Sequence, residues 1–224
     1  LLNRPILKQI DPLLQNEKMK NKITCFILLI FFISNEIIAQ WRDKNMGAIS
    51  WEIGFPGNNK NFLSKTSFAG AKIEYRHFIR ENLSVGAFLN WNSYYQYFPS
   101  ATYTNNDQTQ AVTTDIYRYV YTLPFGVNAH YYFSVGKSIK PFIGLGLGTQ
   151  FAEQKLYYNI FYKESKNWGF LIRPELGLII RPHPFSLFGF LLGGSYSYAT
   201  NINNDYGFSS LQSFNIQIGI IFSR

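Results

Sequence analysis

Residues 214–222 read Phe214-Asn215-Ile216-Gln217-Ile218-Gly219-Ile220-Ile221-Phe222. Phe214, Ile216, Ile218, Ile220 and Phe222 share one parity. Asn215, Gln217 and Gly219 share the other, with Ile221 the one apolar exception. Successive side chains of a strand point to opposite faces, so a period of two describes a strand lying between two different solvents. A strand of about 9–11 residues also suffices to cross a bilayer when tilted. A strand this apolar is a hazard if its edge stays open. A closed membrane barrel removes the edge, because its last strand pairs with its first. The stretch therefore predicts a barrel-closing strand, paired antiparallel with residues 47–55, with Gln217 and Gly219 beside Glu52.

Seven further alternating runs precede it. They cover about residues 47–55, 69–80, 83–95, 116–133, 139–158, 167–181 and 185–199. In the first, Ile49, Trp51, Ile53 and Phe55 oppose Ser50, Glu52 and Gly54. In the fifth, Ile143, Leu145 and Leu147 alternate with Gly144, Gly146 and Gly148. The connections between runs are expected to alternate long and short, with long polar loops at 56–68, 96–115, 159–166 and 200–208. Long loops on one side and short turns on the other are the pattern of an up-and-down outer-membrane barrel. The predicted fold is all-β: an eight-stranded antiparallel up-and-down transmembrane β-barrel over residues 40–224. A soluble lipocalin-like barrel is the alternative, but it would point its large apolar residues inward. Eight strands enclose too little space for the large aromatic face, so the small polar face is assigned to the lumen.

Composition agrees with this. Aromatic residues make up 18% of the chain, with 16 Tyr and 21 Phe, while the mean hydropathy is near zero. Trp51, Trp91, Tyr94, Tyr95, Tyr117, Trp168, Tyr196 and Tyr198 are expected toward the loop ends of their strands. Tyr131, Phe133, Phe185, Phe188 and Phe222 are expected toward the turn ends. Two aromatic girdles would follow. The single cysteine, Cys25, excludes an intrachain disulfide and a cysteine metal cluster. Residues 19–39 read as a signal peptide: Lys20 and Lys22, the apolar run 23–33, then Ala39 before the cut. Residues 1–18 read as an upstream extension preceding Met19. The net charge of +8 is scattered rather than clustered. Nucleic acid is therefore not an expected partner, and anionic lipopolysaccharide and outer-membrane lipid are.

The lumen-facing register collects Glu52, Lys72, Glu74, Arg76, Arg118, Arg173 and Glu175. Charges at membrane depth must pair or sit in water. An eight-stranded interior is just wide enough for side chains to fill. An ion-pair plug is expected, with a gated ion path as the alternative. His77, His130 and His183 form no constellation with Ser or Asp, and each is read as an interfacial polar residue. No catalytic residue, metal site or cofactor is expected. The 96–115 loop, with Tyr97, Phe98 and Tyr103, is read as a solvated loop, with partner or ligand binding as its alternative.

These features resemble the small outer-membrane β-barrels common in Bacteroidetes, in the broad OmpA-like and OmpW-like class. The carriers are the segment ending Ala39-Gln40, the Gly-alternating run 143–148 and the aromatic-containing final strand. The resemblance implies residence in the cell outer membrane of a Gram-negative envelope. It also implies that the final strand is read by the barrel-assembly machinery, although the usual terminal aromatic is displaced to Phe222 by Ser223 and Arg224. A monomeric, non-enzymatic barrel with a structural or surface-interaction role is expected. A small-molecule transport barrel of OmpW-like type and a lipid-modifying barrel enzyme are the alternatives.

Overall fold

The computed structural model describes residues 44–58, 62–104, 111–134, 137–158, 160–184, 186–204 and 206–224. The expected upstream extension (1–18) and signal peptide (19–39) lie outside the described residues, as do Phe185 and the central part of the 96–115 segment. Eight strands follow one another: β1 (Asn45–Pro56), β2 (Ser67–Arg80), β3 (Leu83–Thr104), β4 (Ala111–Tyr132), β5 (Ile139–Tyr158), β6 (Phe161–Ile180), β7 (Phe188–Ala199) and β8 (Leu211–Ser223). Each pairs antiparallel with its neighbour, and the sheet closes on itself between β8 and β1. At the seam Gly47 pairs with Phe222, Glu52 with Gln217 and Phe55 with Phe214. Backbone bonds between Asn45 and Arg224 secure its turn end.

The parity read from the sequence sets the two faces. Ile49, Trp51, Ile73, Leu89, Val127, Leu145, Leu176, Phe190 and Ile218 are exposed on the outside of the wall. Ser50, Glu52, Lys72, Asn90, Asn128, Arg173, Ser195 and Gln217 are buried inside. An apolar ring around the whole exterior is far more than a soluble monomer exposes. It is the surface of a wall whose solvent is lipid. Tyr94 is a correction: it was expected among the loop-end girdle residues, yet it is buried in the lumen. It shares the inward parity of Asn90 and Asn92, whereas Tyr95 points out.

Strand lengths differ from expectation. β1, β2, β7 and β8 have 12 to 14 residues, while β3 to β6 have 20 to 22. The expected loops at 96–115 and 159–166 are largely strand. Tyr97 pairs with Tyr117 and Thr102 with Thr113 across the first hairpin; Glu164 pairs with Lys155 in the second. Polar composition marks where the membrane ends, not where pairing ends, because aromatic and threonine cross-strand pairs stabilise a ladder in water too. The result is a lopsided barrel with a four-stranded sheet rising above one side of its mouth. Two interruptions of the ladder fall near Pro124, between β3 and β4, and Pro174, between β6 and β7. Proline lacks the N–H that a ladder bond needs.

Small inward residues leave room for large ones. A Cβ at Gly146 would lie 3.0 Å from Phe88 Cε1 and 3.4 Å from Arg173 Cβ. A Cβ at Gly144 would collide with the imidazole of His130. The glycines at 144 and 146 are thus the notches into which inward side chains of β3, β4 and β6 pack. Gly146→Leu is expected to lower the unfolding free energy by about 1–3 kcal/mol through overpacking, measured as an earlier urea midpoint of the heat-modifiable gel shift. An unchanged midpoint would contradict the notch assignment.

Candidate functional site: a charged layer sealed inside the barrel

Six of the seven charged residues assigned to the lumen meet in one layer. Lys72, Glu74 and Arg76 occupy alternate positions of β2, and Arg173 and Glu175 alternate positions of β6, so each set faces inward together. Glu52 projects from β1. Lys72 Nζ donates to Glu175 Oε1 at 2.7 Å and Oε2 at 2.8 Å, and lies 3.1 Å from Glu74 Oε2. Arg173 Nη2 donates to Glu52 Oε2, and its Nε to Glu175 Oε1 at 2.9 Å. Arg76 Nη2 donates to Glu74 Oε1, and its Nη1 to the hydroxyl of Tyr132 at 2.9 Å. Each of the six is at most 5% exposed.

The layer is neutral: three carboxylates face three cations. Taking ions out of water costs several kcal/mol each unless partners and further hydrogen bonds satisfy them. Those bonds come from the surrounding wall. Asn90 and Asn92 each donate to Glu52 Oε1 at 2.8 Å, and Asn128 donates to Glu74 Oε2 at 3.3 Å. Gln217 Oε1 lies 3.5 Å from Lys72 Nζ. Rings add to this, with the Arg76 guanidinium 4.7 Å from the Phe142 centroid and Lys72 Nζ 5.7 Å from that of Phe88.

His130 is a correction to the sequence reading. It is not interfacial but buried in this layer, with Nε2 3.3 Å from Glu175 Oε2. Its signal was the pairing partner: His130 faces Gly144 across the β4–β5 ladder, the one neighbour with no side chain to exclude it. The ligand atoms of Glu74, His130 and Glu175 lie within 4.8 Å of one another, a spacing suited to a metal ion. Lys72 Nζ already lies between the two carboxylates and supplies the positive charge that an ion would bring. His77 stays outside, with Nδ1 2.8 Å from Asn45 Oδ1.

Arg118 does not join the layer. Its guanidinium carbon lies 4.9 Å from the Phe62 centroid and 4.4 Å from that of Phe98, and Nη1 donates to the Phe62 carbonyl at 3.3 Å. The reason is height. β4 continues far beyond the 9–11 residues that span a bilayer, and Arg118 lies on the projecting part.

Apolar tiers lie on both sides of the charges. At the turn end Met46, Ala48, Phe78, Tyr132, Phe142, Ile179, Leu191 and Ile221 form a buried cluster. Ile221, the exception to the alternation of β8, is fully buried there. At the loop end Phe62, Leu63 and Phe208 pack on Tyr94 and Val120. Phe62 and Leu63 of the β1–β2 connection and Tyr206 and Phe208 of the β7–β8 connection form this cap together. Phe62 meets Tyr206 at 4.9 Å and Phe208 edge-on at 5.1 Å between centroids. Asn58 staples the two, donating to the Ser210 carbonyl at 2.8 Å and accepting from Gln212 N at 2.9 Å. Gly207, at φ 69°, makes the left-handed turn that returns the chain to Phe208. Under the cap a cavity of about 40 Å³, bordered by Asn92, Tyr94, Thr122 and Gln150, has room for only a few waters.

No protein-family model matches the chain, and no curated protein matches it. Solved structures do. Neisserial surface protein A aligns at TM-score 0.51 and 13% identity, over 81% of this chain and 97% of that one. Ail, the attachment invasion locus protein of Yersinia pestis, aligns at 0.47 and 15%, over 81% and 99%. The outer membrane protein OprG from Pseudomonas aeruginosa aligns at 0.40 and 11%, over 82% and 97%. The closed ring of eight antiparallel strands and the match to neisserial surface protein A give the fold as the eight-stranded outer-membrane β-barrel.

Removing one partner of a buried pair leaves a charge uncompensated. Arg173→Met is expected to cost about 3–5 kcal/mol of stability. Adding Glu52→Gln to it should recover part of that loss rather than deepen it. Urea unfolding of the two singles and the double in lipid vesicles reads the coupling; strictly additive losses would contradict the pairing.

Proposed function

We propose that this chain is a closed outer-membrane barrel, non-conducting and non-enzymatic, that acts through its walls and its outer face rather than through its lumen. One observation carries the reading: six charged side chains fill the lumen in a neutral layer, hidden from solvent between two apolar tiers. A porin needs a water column, and a gated ion path needs charges that face water. Here the charges face one another. Outer-membrane residence is supported by the continuous apolar exterior and by the fold. A hydrolase would need a nucleophile and a base within reach of substrate. The one buried histidine instead contacts a carboxylate committed to Lys72 and Arg173.

The transport reading has one observation in its favour. The β6–β7 ladder lapses between Ile172 and Glu175, where Pro174 interrupts it, and a lapse of this kind is where a lateral opening would form. Behind it sits Arg173, held by Glu52 and Glu175, so a paired charge rather than an open path lies at that point. The Bacteroidetes-type membership and OmpA-like or OmpW-like subclass rest on the sequence features that resemble them, and assembly through the final strand is part of the same proposal.

Single-channel recording of refolded protein in a planar bilayer tests the closed state. The expected record is flat at neutral pH and high salt, without a stable open level. A large, stable conductance would contradict the proposal.

A further inference from the structure

The outer face of the projecting sheet forms a grid. Its lowest row is Leu123, Phe151 and Trp168, in register across β4, β5 and β6 and continuous with the lipid-facing belt. Above it lie two rows: Glu153 and Lys166 with Tyr121 and Ser93 on the β3–β4 side, then Lys155 and Glu164 with Tyr119 and Tyr95. These charges pair on the surface: Lys155 Nζ lies 3.1 Å from Glu153 Oε1, and Lys166 contacts Glu164. Outward charges on a barrel wall are costly within the hydrocarbon. The apolar part of the membrane therefore ends below them.

The next row is Tyr97, Tyr117, Tyr157 and Tyr162, one tyrosine from each of four adjacent strands. Tyr97 and Tyr117 centroids are 5.0 Å apart, and Tyr157 and Tyr162 stack at 5.9 Å. Tyr162 is 64% exposed. Same-face rows are about 6.6 Å apart along a strand, so this row stands roughly 20 Å along the strands above the Phe151 row. An interfacial girdle lies directly on the hydrocarbon boundary; on the β5–β6 side this row is separated from it by charge, and on the β3–β4 side it continues a ladder of tyrosines that rises from Tyr121.

We infer that the tyrosine row is a lateral binding platform for the sugar headgroup of the outer-leaflet glycolipid. The inference rests on outer-membrane residence but not on the closed lumen. The occupant follows from position and chemistry. The platform faces sideways, over the same lipid that the belt below it contacts. Tyrosine presents an apolar ring face and a hydroxyl, which suits the C–H face and the hydroxyls of a pyranose. The charges beneath it are paired with one another, so the sugar rather than a phosphate is the group the platform takes.

The test uses refolded full-length barrel and lipopolysaccharide carried in phosphatidylcholine vesicles, with free core oligosaccharide as a second probe. Tyr97→Ser/Tyr157→Ser/Tyr162→Ser is expected to weaken lipopolysaccharide binding about ten-fold or more. The corresponding triple Phe variant, which keeps the rings, should retain most of it. Heat-modifiable gel mobility reports folding of each. Should the triple Ser variant not fold, Tyr162→Ser alone, at the exposed end of the row, is expected to weaken binding about three-fold. Unchanged affinity in the folded Ser variant overturns the platform and leaves the row to a protein partner. Equal affinity for free oligosaccharide and vesicle-borne lipopolysaccharide overturns the lipid-borne source. A conducting barrel that still loses lipopolysaccharide binding on Tyr→Ser would refute the closed lumen and leave this inference standing.

Discussion

Two ion pairs reach across the lumen, Lys72 to Glu175 and Arg173 to Glu52, and the rest of the interior is arranged to let them form. They join β1 and β2 to β6, on the other side of the barrel. The glycines of β5 make the space, Asn90, Asn92 and Asn128 satisfy the remaining carboxylate oxygens, and apolar tiers lie on both sides. Without the tiers the pairs would be screened and weak; without the pairs the buried charges would not be tolerated. Each part of the interior depends on the others, which gives a narrow barrel a specific filling.

The lumen and the outer wall obey one rule with different solvents. Inside, the charged residues occupy the middle, and an apolar cluster lies toward each end. Outside, apolar residues occupy the middle and tyrosine and charge the loop end. The inversion has a common cause. At mid-membrane the outside meets hydrocarbon, so the charges of the chain can only be inside, and must neutralise one another there. Toward the ends the interior approaches water, and there the apolar clusters lie.

Much of this was legible in the sequence because strand parity is a local and unambiguous signal. Glu52, Lys72, Glu74, Arg76, Arg173 and Glu175 follow from parity and from distance along strands that start at short turns. So does the register of Phe214 to Phe222 against β1. Height above the membrane was not legible in the same way. Arg118 shares the parity of the layer but stands beyond it, because the run 116–133 that holds it is longer than a strand needs to cross the bilayer. His130 needed its ladder partner, Gly144, to be seen as a packed residue. Ile221 looked like an exception to alternation until the turn-end tier gave inward apolar side chains a purpose. The cap could not be read at all, since Phe62 and Phe208 come from connections whose meeting depends on the closed barrel.

The most direct measurement of the central claim is a crystal structure grown from a lipidic phase, at a resolution that shows ordered water in the lumen. The account predicts Lys72–Glu175 and Arg173–Glu52 in direct contact, with isolated waters at most under the cap and none passing the turn-end tier. A continuous file of water from the Phe62–Phe208 cap to Ile221, with the six charged groups solvated rather than paired, would contradict it.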